Sequence, residues 1–191
     1  QVPTALMDDA GHVVPVQVAD GELLFIATDV PALGCRVYRP TNQPATSDLA
    51  AEDNALLKNN VLSFHVHSAS GAIDSMMDLE LNRALDTLGT WRGVERKENA
   101  GMINRLQILW EAPHTMSAWN IGDITHTDNL ITGAQVRVTE RGPVRATVEV
   151  TRQVLHSRIT QRYRLYTGLR RVDVDTELDW HESGGKDQDA P

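Results

Sequence analysis

Residues 158–181 read RITQRYRLYTGLRRVDVDTELDWH, and this stretch decides the fold. Two alternating runs, Arg158 to Tyr166 and Arg171 to His181, flank Thr167-Gly168-Leu169-Arg170. A two-residue turn at Gly168-Leu169, with glycine first, is the type II′ signature of a tight hairpin. That turn sets Ile159 opposite Leu178, Tyr163 opposite Val174 and Leu165 opposite Val172 on one face. The other face receives Arg158 opposite Asp179, Arg162 opposite Asp175 and Arg164 opposite Asp173. One register thus satisfies an apolar and a charged face together. A slip of one residue would spoil both, because side chains alternate with a period of two.

Alternation spreads outward from this hairpin. Val144, Ala146, Val148 and Val150 form one face against Arg145, Thr147, Glu149 and Thr151. Leu62, Phe64 and Val66 alternate with Ser63, His65 and His67; Ser70-Gly71 then turns the chain into a partner strand from Ile73 to Met77. Leu106, Ile108 and Trp110 alternate again, and Pro113 to Asp123 reads as a loop. From Leu79 to Ala100 periodicity fades into an irregular excursion. Near the start, Val14, Val16 and Val18 precede Asp20-Gly21, a type I′ turn signal, and Leu23, Phe25 and Ala27 return on the same face, with Val18 paired to Leu23 and Val16 to Phe25. A short strand is predicted near Arg36-Val37-Tyr38. Many short strands, turn signals and scarce amphipathic helix predict an all-β antiparallel sandwich. The predicted domains are a small β subdomain at 1–40, a linker at 41–52, the β-sandwich at 53–182 and a polar tail at 183–191.

Composition narrows the function. The 191 residues carry a net charge of −8, without the basic patches that nucleic acid or an anionic membrane requires. At 41% hydrophobic and 23% charged the chain is of globular rather than disordered type. No apolar run approaches the roughly 20 residues of a membrane span. Gln1-Val2-Pro3 offers no basic or apolar leader and no Met, so a missing natural start and no signal peptide are expected. The single cysteine, Cys35, fits a reducing, cytoplasmic setting, and its apolar neighbours predict a buried structural thiol.

Three groups of residues are candidates for chemistry. His65 and His67 share a strand face, a workable zinc geometry without an evident third ligand; a solvated strand face is expected. Asp173, Asp175, Glu177 and Asp179 line another face, but the arginines opposite favour ionised structural pairs over a glycosidase acid pair. Trp91, Trp110, Trp119 and Trp180 could stack on sugar rings. Trp110 and Trp180 fall on apolar strand faces and are expected in the core. Trp119 lies in a loop, and with Asn120 and Asp123 it forms the carbohydrate-contact candidate; packing onto the sandwich or another domain is the plainer reading.

Several stretches in order resemble one family. Asn104-Arg105-Leu106-Gln107-Ile108-Leu109-Trp110-Glu111 followed by Trp119-Asn120-Ile121 resembles a run ending in Trp-Asp-Ala-Trp-Asp-Ile; Met116, Ser117 and Asn120 depart from it. Glu140-Arg141-Gly142-Pro143-Val144-Arg145-Ala146 resembles an Arg-Gly-Pro-Val-Arg-Ala strand start. Ile159-Thr160-Gln161-Arg162, through Leu165-Tyr166 and Arg170-Arg171-Val172-Asp173 to Asp179-Trp180-His181-Glu182, is the most specific. These resemble the post-barrel β-domain of glycoside hydrolase family 38 α-mannosidases, and residues 60–78 and the N-terminal hairpin extend the likeness over nearly the whole chain.

The resemblance implies a galactose-mutarotase-like supersandwich, here incomplete, within a retaining α-mannosidase acting on terminal α-linked mannose. The implied zinc ion and aspartate nucleophile belong to an N-terminal catalytic barrel of the same polypeptide. No catalytic or metal residue is assigned in this segment, and no cofactor is expected in it. The implied partners are that barrel and a mannose-containing glycan. An open sheet edge would also permit a homo-oligomer. The alternative is a stand-alone carbohydrate-binding sandwich.

Overall fold

The computed structural model describes residues 2–85, 102–116 and 119–183. All sixteen regular elements among them are β-strands, and no helix there is long and apolar enough to cross a membrane.

The chain opens with a small unit that only partly matches the single predicted hairpin. β1 (Ala5–Asp8) lies between β2 (Val13–Pro15) and the later β5 (Tyr38–Thr41), while β3 (Gln17–Ala19) and β4 (Glu22–Leu24) pair separately. Pro15 has no N–H, which suits the break between β2 and β3. Val18 pairs with Leu23 as predicted, and Asp20 (φ 54°) with Gly21 (φ 80°) form the left-handed turn. The predicted Val16–Phe25 pair falls outside the ladder. Val18 and Leu23 are exposed, and the buried side chain of β3 is Gln17. Its Oε1 accepts hydrogen bonds from the Val144 N–H (3.1 Å) and the Arg145 N–H (2.7 Å), which docks the unit on the rest of the protein. The strand expected near Arg36 starts two residues later, as β5 (Tyr38–Thr41). Arg36 instead sends its guanidinium to buried Asp8 (2.7 Å). Beside it Cys35 is exposed, which corrects the expectation of a buried thiol.

The next five strands form one sheet: β6 (Ala50–Ala51), β7 (Leu56–Lys58), β8 (Leu62–Val66), β9 (Ile73–Asp78) and β10 (Arg83–Ala84), in spatial order β10-β9-β8-β7-β6. β6 lies inside the stretch that composition marked as linker. The excursion expected from Leu79 contains turns and β10, and its remainder, with Trp91, lies outside the described residues. β11 (Gln107–Glu111) and β12 (Ile124–Asn129) make a separate two-stranded arm. β13 (Gln135–Arg141), β14 (Arg145–Val154), β15 (Ser157–Tyr166) and β16 (Val172–Asp179) form an antiparallel sheet in that order.

The two larger sheets face each other as a sandwich. Leu57, Leu62, Phe64, Val66 and Ile73 from one meet Ala146, Val148, Val150, Tyr163 and Leu165 from the other. Burial of this apolar area is the main stabilising term. Tyr163 is fully buried, yet its hydroxyl is satisfied: it donates to Gly71 O (2.8 Å) and accepts from Asn104 Nδ2 (2.8 Å). The exposed-looking side of β14 is covered too, since Glu149 is buried between Arg137 (Nη2, 2.5 Å) and Arg162 (Nε, 3.0 Å).

The deciding hairpin keeps the predicted register throughout, from Arg158↔Asp179 to Leu165↔Val172. Three details differ. The turn hydrogen bond runs from Leu169 N–H to Tyr166 O (3.4 Å), so the reversal centres on Thr167-Gly168. Asn59 Nδ2 donates to the carbonyls of Tyr166 (2.7 Å) and Leu169 (2.9 Å), while Asp48 accepts from Thr167 Oγ1 (2.6 Å) and Gly168 N–H (3.1 Å). These tertiary bonds hold the loop out of the tightest hairpin. The ion pairs are also diagonal: Arg162 reaches Glu177 (3.3 Å) and Arg164 reaches Asp175 (3.4 Å). Long side chains span that diagonal readily. Finally, Val174, Leu178 and Trp180 are exposed, because the five-stranded sheet packs against β13–β15 and touches β16 through Val172. Trp180 is therefore not a core residue.

Candidate functional site

Chemistry that needs converging groups finds little support in the sandwich. His65 Nδ1 lies 2.6 Å from Asp74, and His67 Nδ1 lies 3.0 Å from Ser70 Oγ. Each imidazole thus has its own partner. Among the described residues no three His, Cys, Asp or Glu side chains are grouped to hold a metal ion. The residues here do not fit a zinc site. The acidic row of β16 is tied up as well: Asp173 with Arg171 (2.8 Å), Asp175 with Arg164, and Glu177 with Arg162.

The surface feature that presents aromatic groups is the arm. Every residue of β12 is exposed, so the arm's pairing rests on local contacts. Trp110 stacks on His126, with centroids 5.1 Å apart and planes 11° from parallel, and its Nε1–H donates to Asp128 (2.7 Å). Trp110 is thus half-buried on an arm rather than part of the core. Gln107 Nε2 donates to Asn129 Oδ1 (2.6 Å) at the arm's base.

At the tip Glu111 acts as a clasp. Its Oε1 accepts from the Gly122 N–H across the loop and lies 2.6 Å from His114 Nε2. His114 Nδ1 accepts in turn from the Met116 N–H (3.3 Å), so Nε2 carries the proton given to Glu111. Gly122 leaves no room for a side chain: a Cβ there would sit 2.6 Å from His114 Cδ2. The Gly122 N–H and then His114 hold the Glu111 carboxyl below the usual glutamate range. This clasp was missed in the sequence, where a Glu and a His three apart, with a distant glycine, give little signal.

Beyond the clasp, Trp119 and Asn120 each donate their N–H to Met116 O (2.9 and 3.0 Å). Trp119 is 83% exposed, and Ile121, Asn120 and Asp123 are exposed beside it. The loop brings the three predicted contact residues to one tip. Their side chains share no hydrogen bond with one another among the described residues, so the tip is an open surface rather than a closed pocket.

Fold and surface together define an antiparallel β-sandwich with a projecting β-arm and a docked N-terminal unit. The model of a family described as "Glycosyl hydrolases family 38 C-terminal domain" matches residues 57–188, from β7 through both sheets and the arm. The chain belongs to glycosyl hydrolase family 38, as part of an enzyme of that family. A C-terminal domain of this kind implies an N-terminal catalytic domain in the full chain. No curated protein matched the chain.

Proposed function

We propose that this chain is a non-catalytic β-sandwich segment of a retaining α-mannosidase, an enzyme that removes terminal α-linked mannose during glycan breakdown in the cytoplasm. The observation that carries the reading is the family match across both sandwich sheets and the arm. Zinc and the nucleophile belong, on this reading, to the catalytic barrel of the same polypeptide, and the sandwich is of the galactose-mutarotase-like type. Its role is to pack against that barrel. The full-length enzyme is expected to release mannose from an aryl α-mannoside with the α-anomer formed first, and residues 1–191 alone to release none. Turnover by this segment, or a β-anomer first from the whole enzyme, would overturn the reading.

The exposure of Trp119 favours a second reading, a sandwich that binds carbohydrate by itself through Trp119, Asn120 and Asp123. A CH-rich sugar face suits a bare indole plate. Titration of mannose into the wild type and Trp119→Ala, followed by Trp fluorescence, separates the two. Saturable binding lost in the variant supports the second reading, and no response in either protein rejects it.

A further inference from the structure

The family model begins at residue 57, so the N-terminal unit lies outside the match. It is nonetheless joined to the sandwich through buried polar groups. Gln17 is 9% exposed and sits over the start of β14. Its Oε1 accepts from two successive backbone donors, the N–H groups of Val144 and Arg145, and Val144 itself is buried. Its Nε2 faces Glu140 Oε1 at 3.5 Å. The space belongs to the amide alone, because a Cβ on Gly142 would overlap the Gln17 side chain. Left buried without the amide, both backbone donors would be unsatisfied, which is costly.

Charge makes the residue type at this position specific. Glu140 accepts from Arg145 (Nε 2.8 Å, Nη2 2.7 Å) and from Thr147 Oγ1. Arg145 thus directs its guanidinium at Glu140, and at exposed Asp20 (3.3 Å). An amide suits the remaining space, accepting from the two N–H groups and presenting its own N–H toward the carboxylate. A carboxylate at position 17 could accept the same two bonds, but it would set a second negative charge against Glu140. We propose that Gln17 is the positioning residue of a rigid joint. Its neutral amide locks the N-terminal unit to the sandwich, and with it the bearing of the catalytic domain on the N-terminal side. The second half of that statement rests on the family reading.

Amide exchange on the 191-residue chain reads the joint. Gln17→Glu is expected to speed exchange at Val144 and Arg145 by about tenfold, the scale of one lost hydrogen bond, and to loosen β3 and β4 with them. In a Glu140→Gln background the same change should alter exchange little, since no like charge remains. Gly142→Ala displaces the amide sterically and should open the joint in both backgrounds. Exchange unmoved by Gln17→Glu, or moved equally in both backgrounds, would overturn the proposal. In the full-length enzyme, Gln17→Glu should lower kcat/KM on an aryl α-mannoside, and adding Glu140→Gln should restore it. Full turnover by a Gln17→Glu enzyme whose joint has opened would overturn the positioning role. An inert wild-type enzyme would count against the family reading alone, and the exchange result would still decide the joint.

Discussion

The sandwich and the arm are both antiparallel β-structure, yet they are held by different forces. In the sandwich, Phe64, Leu57, Tyr163 and Leu165 are nearly or wholly removed from water between two layers. In the arm, β12 is exposed along its whole length, and cohesion comes from the Trp110–His126 stack, the Trp110–Asp128 bond and the Glu111 clasp. Two-stranded ribbons are marginal by themselves. The contrast teaches that the sandwich supplies stability, while the arm spends little of its surface on the core and leaves Trp119 free to meet something else.

The sharpest way to break the contrast is a core truncation. Phe64→Ala is expected to cost about 3–5 kcal/mol, the range for a buried phenylalanine, measured by urea unfolding. A cost below about 1 kcal/mol would mean that the two sheets do not share one core. Next comes Glu149→Gln, which weakens the charge-assisted bonds to Arg137 and Arg162 and is expected to cost about 1.5–3 kcal/mol. The same carboxyl predicts a pH dependence. Glu149 is held below its ordinary value of 4.5 by the Arg137 hydrogen bond against burial, with Arg162 assisting. At Glu140, burial pushes upward but is outweighed by bonds from Arg145 and Thr147. Both groups bind protons more readily unfolded than folded. Their contribution is therefore complete above about pH 4.5 and is lost as pH falls toward the lower folded values. Melting temperature should drop over that acid range, and less steeply in Glu149→Gln than in the wild type.

What the sequence made legible was local periodicity. The β15–β16 register follows from two faces that must both be satisfied, and every predicted pair is present. The Val144–Val150 face is buried as read. What was not legible was set by partners distant in the chain. The turn moved to Thr167-Gly168 because Asn59 and Asp48 bind its backbone. Trp180 sits on the apolar face of its strand but is exposed, because burial depends on how far the opposite sheet extends. β1, β12 and β13 were not anticipated; β12, Ile-Thr-His-Thr-Asp-Asn, is solvated on both faces and so shows no alternation. At the tip, Trp119 was recognisable as a loop aromatic, whereas Glu111, His114 and Gly122 came together only through folding.

Smaller effects refine the comparison. Asp175→Arg removes the pair to Arg164 and sets like charges together on an exposed face. It is expected to cost about 0.2–1 kcal/mol and to raise amide exchange in β15 and β16 first. An unchanged stability with unchanged exchange would mean that the charged face contributes nothing to the register.

The smallest stability effect is expected at the site of greatest interest. Trp119 is exposed, and its described hydrogen bond is made by its backbone N–H, which survives truncation. Trp119→Ala should therefore shift unfolding by no more than about 0.5 kcal/mol, as for surface substitutions away from special features. Gly122→Ala supplies the opposing measurement. It keeps the indole but drives a methyl group into His114, opening the Glu111 clasp and changing the bearing of the tip. If the arm exists to present Trp119, both variants should weaken its contact with the catalytic barrel or a sugar, though only Gly122→Ala disturbs the loop's own amide exchange. A large loss of stability in Trp119→Ala would erase the distinction between arm and sandwich, because the indole would then have to be packed where the structure leaves it in solvent.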